Sequence, residues 1–198
     1  MVRALIYQWY DRYMRSLFAF MMVSLDGYFE GVDGDLSWHN VDGEFNDFAI
    51  KQLGEIDTLI FGRKTYEMMA NYWPTEMAIA DDPIVAERMN SIPKLVVSHS
   101  LKRADWNNTK LVSDPSQVIA DLKASPGKSI AIFGSSSLCV SLIEMGLIDE
   151  FRLMYAPVLI GDGTSLFDGM PSPLKLELID SKAYASGNVL MRYKPSKD

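Results

Sequence analysis

Cysteine and histidine are almost missing from this sequence. Among 198 residues there is one cysteine, Cys139, and there are two histidines, His39 and His99. A single cysteine cannot form an intrachain disulfide, and these few residues do not make up a cysteine- or histidine-rich metal centre. We therefore expect no metal site. Because no disulfide calls for an oxidising compartment, we also expect a cytoplasmic protein.

Long apolar runs and an excess of positive charge are missing as well. No stretch approaches the roughly 18 consecutive apolar residues that a membrane span needs, so we expect no contact with a membrane. The 19 basic and 26 acidic residues give a formal net charge of -7. This balance disfavours nucleic-acid partners, since such binding depends on Lys and Arg contacts to phosphates.

The first 16 residues differ from the rest of the chain because they are basic. They lack the apolar core and the cleavage site of a secretory signal. We interpret residues 1–16 as an N-terminal extension, with a helix that docks on a partner subunit as the alternative. The remaining residues, 17–195, are predicted to form one domain.

Strand and helix patterns alternate from residue 17 onward. Apolar runs predict strands at 17–23, 57–62, 94–98, 110–112, 129–133 and 151–155. Helix signals lie between them, such as the capping Asp42 and the pair Asp82-Pro83. Residues 174–179 and 188–193 predict a closing antiparallel pair. The pattern therefore predicts an α/β fold whose mostly parallel sheet is covered by helices on both faces.

Two predicted strand-to-helix turns carry residues suited to an anion. Residues 134–137, Gly-Ser-Ser-Ser, offer small side chains and free N–H groups at a helix start, which suit a phosphate. A tight turn in which serine only caps the helix is the alternative. In the other turn, Arg63 and Lys64 stand where the helix dipole disfavours cations, unless an anion lies between them and the helix. A solvated charge pair is the alternative there.

A third strand end, at Ser98 and His99, adds hydroxyl and imidazole groups. Three such ends fit a ligand that lies across the carboxyl edge of a parallel sheet. A serine-hydrolase elbow is disfavoured because Leu138 stands where G-x-S-x-G needs its closing glycine. A calcium loop at residues 33–44 is also disfavoured, since Trp38 occupies the position that requires glycine. Trp38 is expected to close over a pocket or to pack in the core.

Several motifs together carry a family likeness. In order, they are Ser24-Leu25-Asp26-Gly27, Phe61-Gly62-Arg63-Lys64-Thr65, Ile132-Phe133-Gly134-Ser135-Ser136-Ser137, Ile148-Asp149-Glu150, Ala156-Pro157-Val158-Leu159-Ile160-Gly161-Asp162-Gly163 and Leu166-Phe167. Over roughly residues 16–194 the chain resembles the dihydrofolate reductase-like superfamily. Within it, the chain is most similar to the riboflavin-biosynthesis reductase domain of the RibD C-terminal type. The resemblance implies a three-layer α/β/α reductase that uses NADPH.

The resemblance also implies roles for individual residues. Asp26 and Trp38 are candidate catalytic residues. Asp26 would lie next to the substrate and orient it or help relay a proton, with capping of the Asp-Gly turn as the alternative. Trp38 would match the tryptophan of the mobile loop, and an acid on the first helix would hold the substrate. The family's position for that acid aligns best with Asn46. Asp47, our candidate catalytic acid, or Glu44 would occupy this position only if the alignment were shifted. The implied cofactor-binding residues are Val23, Ser24, Gly62, Arg63, Lys64, Thr65, Ser98, His99, Gly134, Ser135, Ser136 and Ser137. Ser135 stands where the family usually has a second glycine.

These observations give two functional hypotheses. The first is an NADPH-dependent reductase that transfers hydride to a C=N or carbonyl bond of a small heterocycle, such as a pyrimidine-ribosylamine or a pterin. The second is a nucleotide-binding or dimerising module without turnover on the same fold. In either case a homodimer is expected, since symmetric pairing is common and the closing strands offer an interface.

Overall fold

The computed structural model describes residues 14–196. Its strands are β1 (Leu17–Ser24), β2 (Tyr28–Glu30), β3 (Ile56–Gly62), β4 (Lys94–Val97), β5 (Thr109–Val112), β6 (Ser129–Phe133), β7 (Glu150–Ala156), β8 (Thr164–Ser165), β9 (Leu176–Ala183) and β10 (Val189–Pro195). Its α-helices are α1 (Gly43–Gly54), α2 (Arg63–Tyr72), α3 (Glu76–Asp81), α4 (Pro83–Ser91), α5 (Ser116–Ala124) and α6 (Ser136–Glu144). A short 3-10 helix covers Val32–Gly34.

One large sheet organises the fold. Its eight strands follow the order β5-β4-β3-β6-β1-β7-β10-β9. Pairing is parallel from β5 through to β7, and β10 runs antiparallel to both β7 and β9. The predicted mostly parallel sheet with an antiparallel C-terminal hairpin is thereby confirmed. Strands β2 and β8 form a separate antiparallel pair.

Alternate side chains of β1 enter two different apolar cores. Leu17, Ala19, Met21 and Val23 pack in the core beneath α5 and α6, whereas Phe18 packs in the core beneath α1, α2 and α4. Successive residues of a strand point to opposite faces of the sheet, so both faces of β1 need apolar side chains. The continuous apolar run at this strand therefore produces the three-layer arrangement.

The N-terminal part of the domain begins before β1. The predicted extension falls outside the described residues as far as residue 13, but Arg15 is buried against the domain. Its guanidinium pairs with Asp57 and donates to Thr58 Oγ1 at 2.9 Å. Arg15 thus fixes the start of β1 to the start of β3. Within residues 14–196, no helix has the length and apolar character needed to cross a bilayer.

Candidate active site

The predicted cofactor residues follow neighbouring parallel strands. Ser24 ends β1, Gly62 ends β3 and Ser98 follows β4, while Gly134 follows β6. Because these strands are parallel and adjacent in the sheet, their carboxyl ends meet at one edge. Val23 and Ser24 are both buried at the end of β1, in the central part of this edge.

The turns after β3 and β6 are in direct contact. The hydroxyl of Ser135 accepts a hydrogen bond from the Gly62 N–H at 2.7 Å and donates one to Thr65 Oγ1 at 2.8 Å. A Cβ on Gly62 would lie 2.9 Å from Ser135 Oγ, and one on Gly134 would lie 3.0 Å from Thr65 Cγ2. Both positions therefore have too little room for a side chain. We call residues 62–65 and 134–137 the phosphate cradle.

Two helices begin in the phosphate cradle. Neither α2 nor α6 has a side-chain hydrogen bond at its N-cap, and N-terminal N–H groups of a helix have no partner within the helix. The positive ends of both helix dipoles add to the exposed charges of Arg63 and Lys64. Arg63 pairs with Glu67 at 2.9 Å, at the solvent-facing surface of α2. This combination suits a phosphate group.

Ser98 and His99 lie at the next strand end. Ser98 Oγ accepts hydrogen bonds from the N–H groups of Ser100 at 3.2 Å and Leu101 at 3.0 Å, so this hydroxyl shapes the turn after β4. His99 is exposed. The carboxylate of Asp114 has a lowered pKa, first because Ser116 donates hydrogen bonds to it and also because of the charge of nearby His99.

An apolar cavity of about 330 Å³ lies beside the phosphate cradle. Thr65 and Gly134 belong to both. The cavity is enclosed by β1, β6, α1, α2 and α4 and by part of the loop before α1. Polar side chains on its wall are those of His39, Asn46, Gln52, Thr65, Tyr72 and Asp82. We call this space the apolar cavity.

Asp26 holds a loop at the same edge of the sheet. Its carboxylate accepts hydrogen bonds from the N–H groups of Ile160 at 3.1 Å and Gly161 at 2.8 Å. A side-chain hydrogen bond from Ser24 is the largest cause of its lowered pKa, and these two N–H groups add to it. The exposed carboxylate therefore stays ionised near neutral pH and fastens the loop after β7 to the end of β1.

Trp38 and His39 pack against each other in the loop before α1. The Trp38 indole N–H donates to Asp35 O at 3.1 Å, and the two rings meet edge to face with centroids 4.5 Å apart. His39 lines the apolar cavity, and burial lowers its pKa to about 4 despite the opposing charge of Asp35. Its Nε2 is buried and has no hydrogen-bond partner among the described residues.

Asn46 and Asp47 lie along different cavities. Asn46 faces the apolar cavity, whereas Asp47 lines a second cavity of about 310 Å³ on the other side of α1. Phe45 and Asn46 both line the apolar cavity, whereas Glu44 and Asp47 line the second one. The second cavity is strongly charged and includes Glu44 and Arg152. The structure therefore brings Asn46, not Asp47 or Glu44, to the site.

His39 was missed by the sequence reasoning as a site residue. The sequence indicates only that two histidines are too few for a histidine-rich metal centre. Its position next to Trp38, which is expected to close over a pocket or to pack in the core, is the signal that could have identified it.

Comparisons with known proteins agree with this architecture. The uncharacterized protein YyaP of Bacillus subtilis (strain 168) is 31% identical over 181 residues, which cover 90% of this chain and 94% of YyaP. A candidate riboflavin biosynthesis protein from Shewanella sp. PV-4 superposes with a TM-score of 0.70 at 25% identity, over 92% of this chain and 99% of that one.

A dihydrofolate reductase from Enterococcus faecalis, complexed with NADP(H) and RAB-propyl, shares the fold. Its TM-score is 0.63 at 16% identity, over 93% of this chain and 99% of that one. Residues 15–190 match the family described as the RibD C-terminal domain. This match spans most of the sequence and includes both turns of the phosphate cradle. The chain therefore belongs to the RibD C-terminal domain family and has a dihydrofolate reductase-like fold.

Proposed function

We propose that this chain is an NADPH-dependent reductase that transfers hydride to a C=N or carbonyl bond of a small heterocyclic substrate. The observation that carries the proposal is the shared wall of the phosphate cradle and the apolar cavity. Thr65 and Gly134 contribute to both, so a molecule in the cavity lies beside the anion-binding turns. The NADP(H) complex of the structurally similar dihydrofolate reductase supports a nicotinamide cofactor.

The phosphate cradle fits the phosphates of such a cofactor. It contains no acidic residue, and it combines two uncapped helix N-termini with a guanidinium and an ammonium group. Arg63 would present its fork of N–H donors to the 2′-phosphate, the group that NADPH has and NADH lacks, and Lys64 would add a point charge. Gly134 lies too close to Thr65 to carry a side chain, and its own N–H donates to Phe20 O at 3.2 Å, so the N–H groups at the start of α6 would contact the ligand. When bound, the nicotinamide supplies the hydride.

The other residues of the site would position the substrate and exclude water. The apolar walls of the cavity remove solvent around a bound ring, which strengthens polar contacts there. Asn46 and the neutral imidazole of His39 offer hydrogen bonds to the substrate. We assign Asp26 a positioning role, because its ionised carboxylate is held by two N–H groups of the loop after β7.

Titration with NADPH and NADH tests the proposal. Loss of the Arg63 guanidinium in Arg63→Ala removes a charged hydrogen bond, so NADPH binding should weaken by about 1.5–3 kcal/mol with little change for NADH. The control is Lys194→Ala, which removes a cation from a surface ion pair with Glu177 on the β9–β10 hairpin and should leave both affinities unchanged. Equal losses for both cofactors in Arg63→Ala contradict the assigned role. Failure of the unmodified chain to bind either cofactor overturns the proposal.

A nucleotide-binding module without turnover is the second candidate function. It is favoured by the amide of Asn46 in the apolar cavity, because an amide cannot serve as a general acid or base. Consumption of NADPH, measured across a panel of pterins and flavin precursors, separates the two candidates. Binding of NADPH without consumption by any member of the panel supports the module.

A further inference from the structure

Two arginines lie directly opposite each other on β7 and β10. Arg152 and Arg192 are cross-strand partners, and like charges in such positions destabilise a sheet unless anionic groups offset them. A single carboxylate oxygen, Glu150 Oε1, accepts a hydrogen bond from the Nε of each, at 2.8 Å from Arg152 and 2.7 Å from Arg192. The two guanidinium groups are therefore held side by side on one carboxylate.

Three of the four terminal nitrogens of these arginines have no partner among the described residues. Nη1 of Arg152 donates to Glu55 Oε2 at 2.9 Å, but Nη2 of Arg152 and both terminal nitrogens of Arg192 are left without an acceptor. The Arg152 side chain is 10% exposed, and its guanidinium lies 3.7 Å from the centre of the Phe18 ring, so water has little access to it. Buried charged donors without an acceptor indicate a bound oxyanion that both arginines could share.

Both arginines line the second cavity, which we call the charged cavity. It lies between α1 and the β9–β10 hairpin, and α1 separates it from the apolar cavity, with Gln52 in the wall of both. Arg152 is the third residue of β7, whereas the phosphate cradle lies at the carboxyl edge of the sheet. The charged cavity is therefore separate from the phosphate cradle.

The charges around this cavity favour a ligand that carries both signs. Among the described lining residues, four basic side chains face four acidic ones: Lys51, Arg152, Lys182 and Arg192 against Glu44, Asp47, Glu55 and Asp180. The arginines are buried or half-buried, whereas all four acidic residues are exposed at the rim. A phosphate dianion would be repelled by the rim, whereas a zwitterion can place its anion at the arginines and its cation among the carboxylates.

We infer that the charged cavity binds an amino acid, whose carboxylate lies between Arg152 and Arg192 and whose ammonium group faces the exposed carboxylates. Phe48, Tyr184 and Leu190 add an apolar wall, which suits an apolar side chain. The volume of about 310 Å³ is near the lower end of the range for small-molecule sites, as expected for a ligand of this size. The inference adds a second binding site and does not depend on the proposed reductase function.

Calorimetric titration of the full chain tests the site with leucine and two analogues that each lack one charge. 3-Methylbutylamine lacks the carboxylate and should bind at least about tenfold more weakly than leucine, because it loses the charged hydrogen bonds to the arginines. 4-Methylpentanoate lacks the ammonium group and should bind about two- to fivefold more weakly, because ion pairs at an exposed rim contribute little. Inorganic phosphate should bind more weakly than leucine.

Substitutions locate the two charges of the ligand. Arg192→Gln should weaken leucine binding about tenfold and leave 3-methylbutylamine unchanged. Arg103→Gln, at an exposed arginine that pairs with Asp105 outside the charged cavity, is the control. Asp47→Asn should weaken leucine and leave 4-methylpentanoate unchanged. If Arg192→Gln does not fold, Arg192→Lys, which keeps the charge but loses the terminal donors of the guanidinium, should weaken leucine in the same direction.

Several outcomes overturn the inference. They are absence of leucine binding at millimolar concentration, leucine affinity that Arg192→Gln leaves unchanged, and tighter binding of phosphate than of leucine. Equal affinities for leucine and 4-methylpentanoate overturn the zwitterion. None of these outcomes bears on the proposed reductase function, because the titrations contain no NADPH.

Discussion

Ser135 Oγ accepts a 2.7 Å hydrogen bond from the backbone N–H of Gly62, and so joins the turn after β6 to the turn after β3. The same hydroxyl donates to Thr65 Oγ1. Ser135 has a φ of 64°, a left-handed conformation that usually favours glycine. The side chain thus supplies a bridge that glycine cannot form, at the cost of backbone strain.

Two substitutions at Ser135 should distinguish the stabilising effect of its hydrogen bonds from the destabilising effect of its backbone strain. Ser135→Ala loses both hydrogen bonds and keeps the left-handed backbone, whereas Ser135→Gly loses the bonds and relieves the strain. Leaving the Gly62 N–H unpaired should cost about 1–3 kcal/mol in both variants, and the glycine variant should be the more stable by about 1 kcal/mol. Urea unfolding measures both differences. If Ser135→Ala is as stable as the unmodified chain, the bridge does not stabilise the fold.

Asp26→Asn should loosen the loop after β7. The amide can still accept a hydrogen bond, but it loses the negative charge that attracts the N–H groups of Ile160 and Gly161. Hydrogen exchange of these two amides should accelerate while that of the β1 amides stays unchanged. Asp33→Asn, at an exposed carboxylate in the 3-10 helix, is the control. Unchanged exchange at Ile160 and Gly161 would contradict the anchoring role of Asp26.

His39 should make the fold less stable in acid. Burial lowers its pKa from 6.5 to about 4 in the folded chain, so between these values the unfolded chain takes up a proton that the folded chain does not. The free energy of unfolding therefore falls as the pH drops from 6.5 towards 4. Above pH 6.5 the contribution of His39 to this free energy is constant. His39→Gln should reduce the dependence of the unfolding free energy on pH, as measured by urea unfolding between pH 4 and 6.5. The control, His99→Gln at an exposed position, should retain it.

Strand β9 should form the interface of a homodimer. All eight of its residues are exposed, including the apolar Leu176, Leu178 and Ile179, and an exposed apolar edge strand tends to pair with another chain. Sedimentation should give the mass of a dimer, and Leu178→Lys should shift it towards the monomer. Leu159→Lys, at an equally exposed leucine in the loop after β7, should not. A monomeric mass at all concentrations would overturn this proposal.

Elements with local signals were predicted well from the sequence. The apolar runs of β3, β4 and β6 identified buried strands, and Asp42 caps α1 by accepting a hydrogen bond from Phe45 N at 2.8 Å. The two turns of the phosphate cradle were predicted separately, because each has its own short sequence signal at the end of a strand. One turn has glycine followed by serines, and the other has glycine followed by two cationic residues. Helix α3 was missed, although Thr75 caps it. Its six residues are too few for a periodic pattern.

Features that depend on distant contacts were not predictable in the same way. The pairing of β2 with β8 joins residues such as Tyr28 and Ser165, and neither short segment has its own strand signal. The choice between Asn46 and Asp47 depends on the rotation of α1 against the sheet, which is set by packing. His39 acquires its altered pKa only from burial in the folded chain.

Thr65 and Gly134 form a common boundary between the phosphate cradle and the apolar cavity. In the proposed reductase, a cofactor and a substrate bound on either side of this boundary would both touch these two residues, which would therefore be the contact through which one ligand affects the other. By thermodynamic reciprocity, the factor by which the cofactor changes substrate affinity equals the factor by which the substrate changes cofactor affinity. In the proposed reductase, any coupling between cofactor and substrate would therefore pass through one hydroxyl-bearing residue and one glycine.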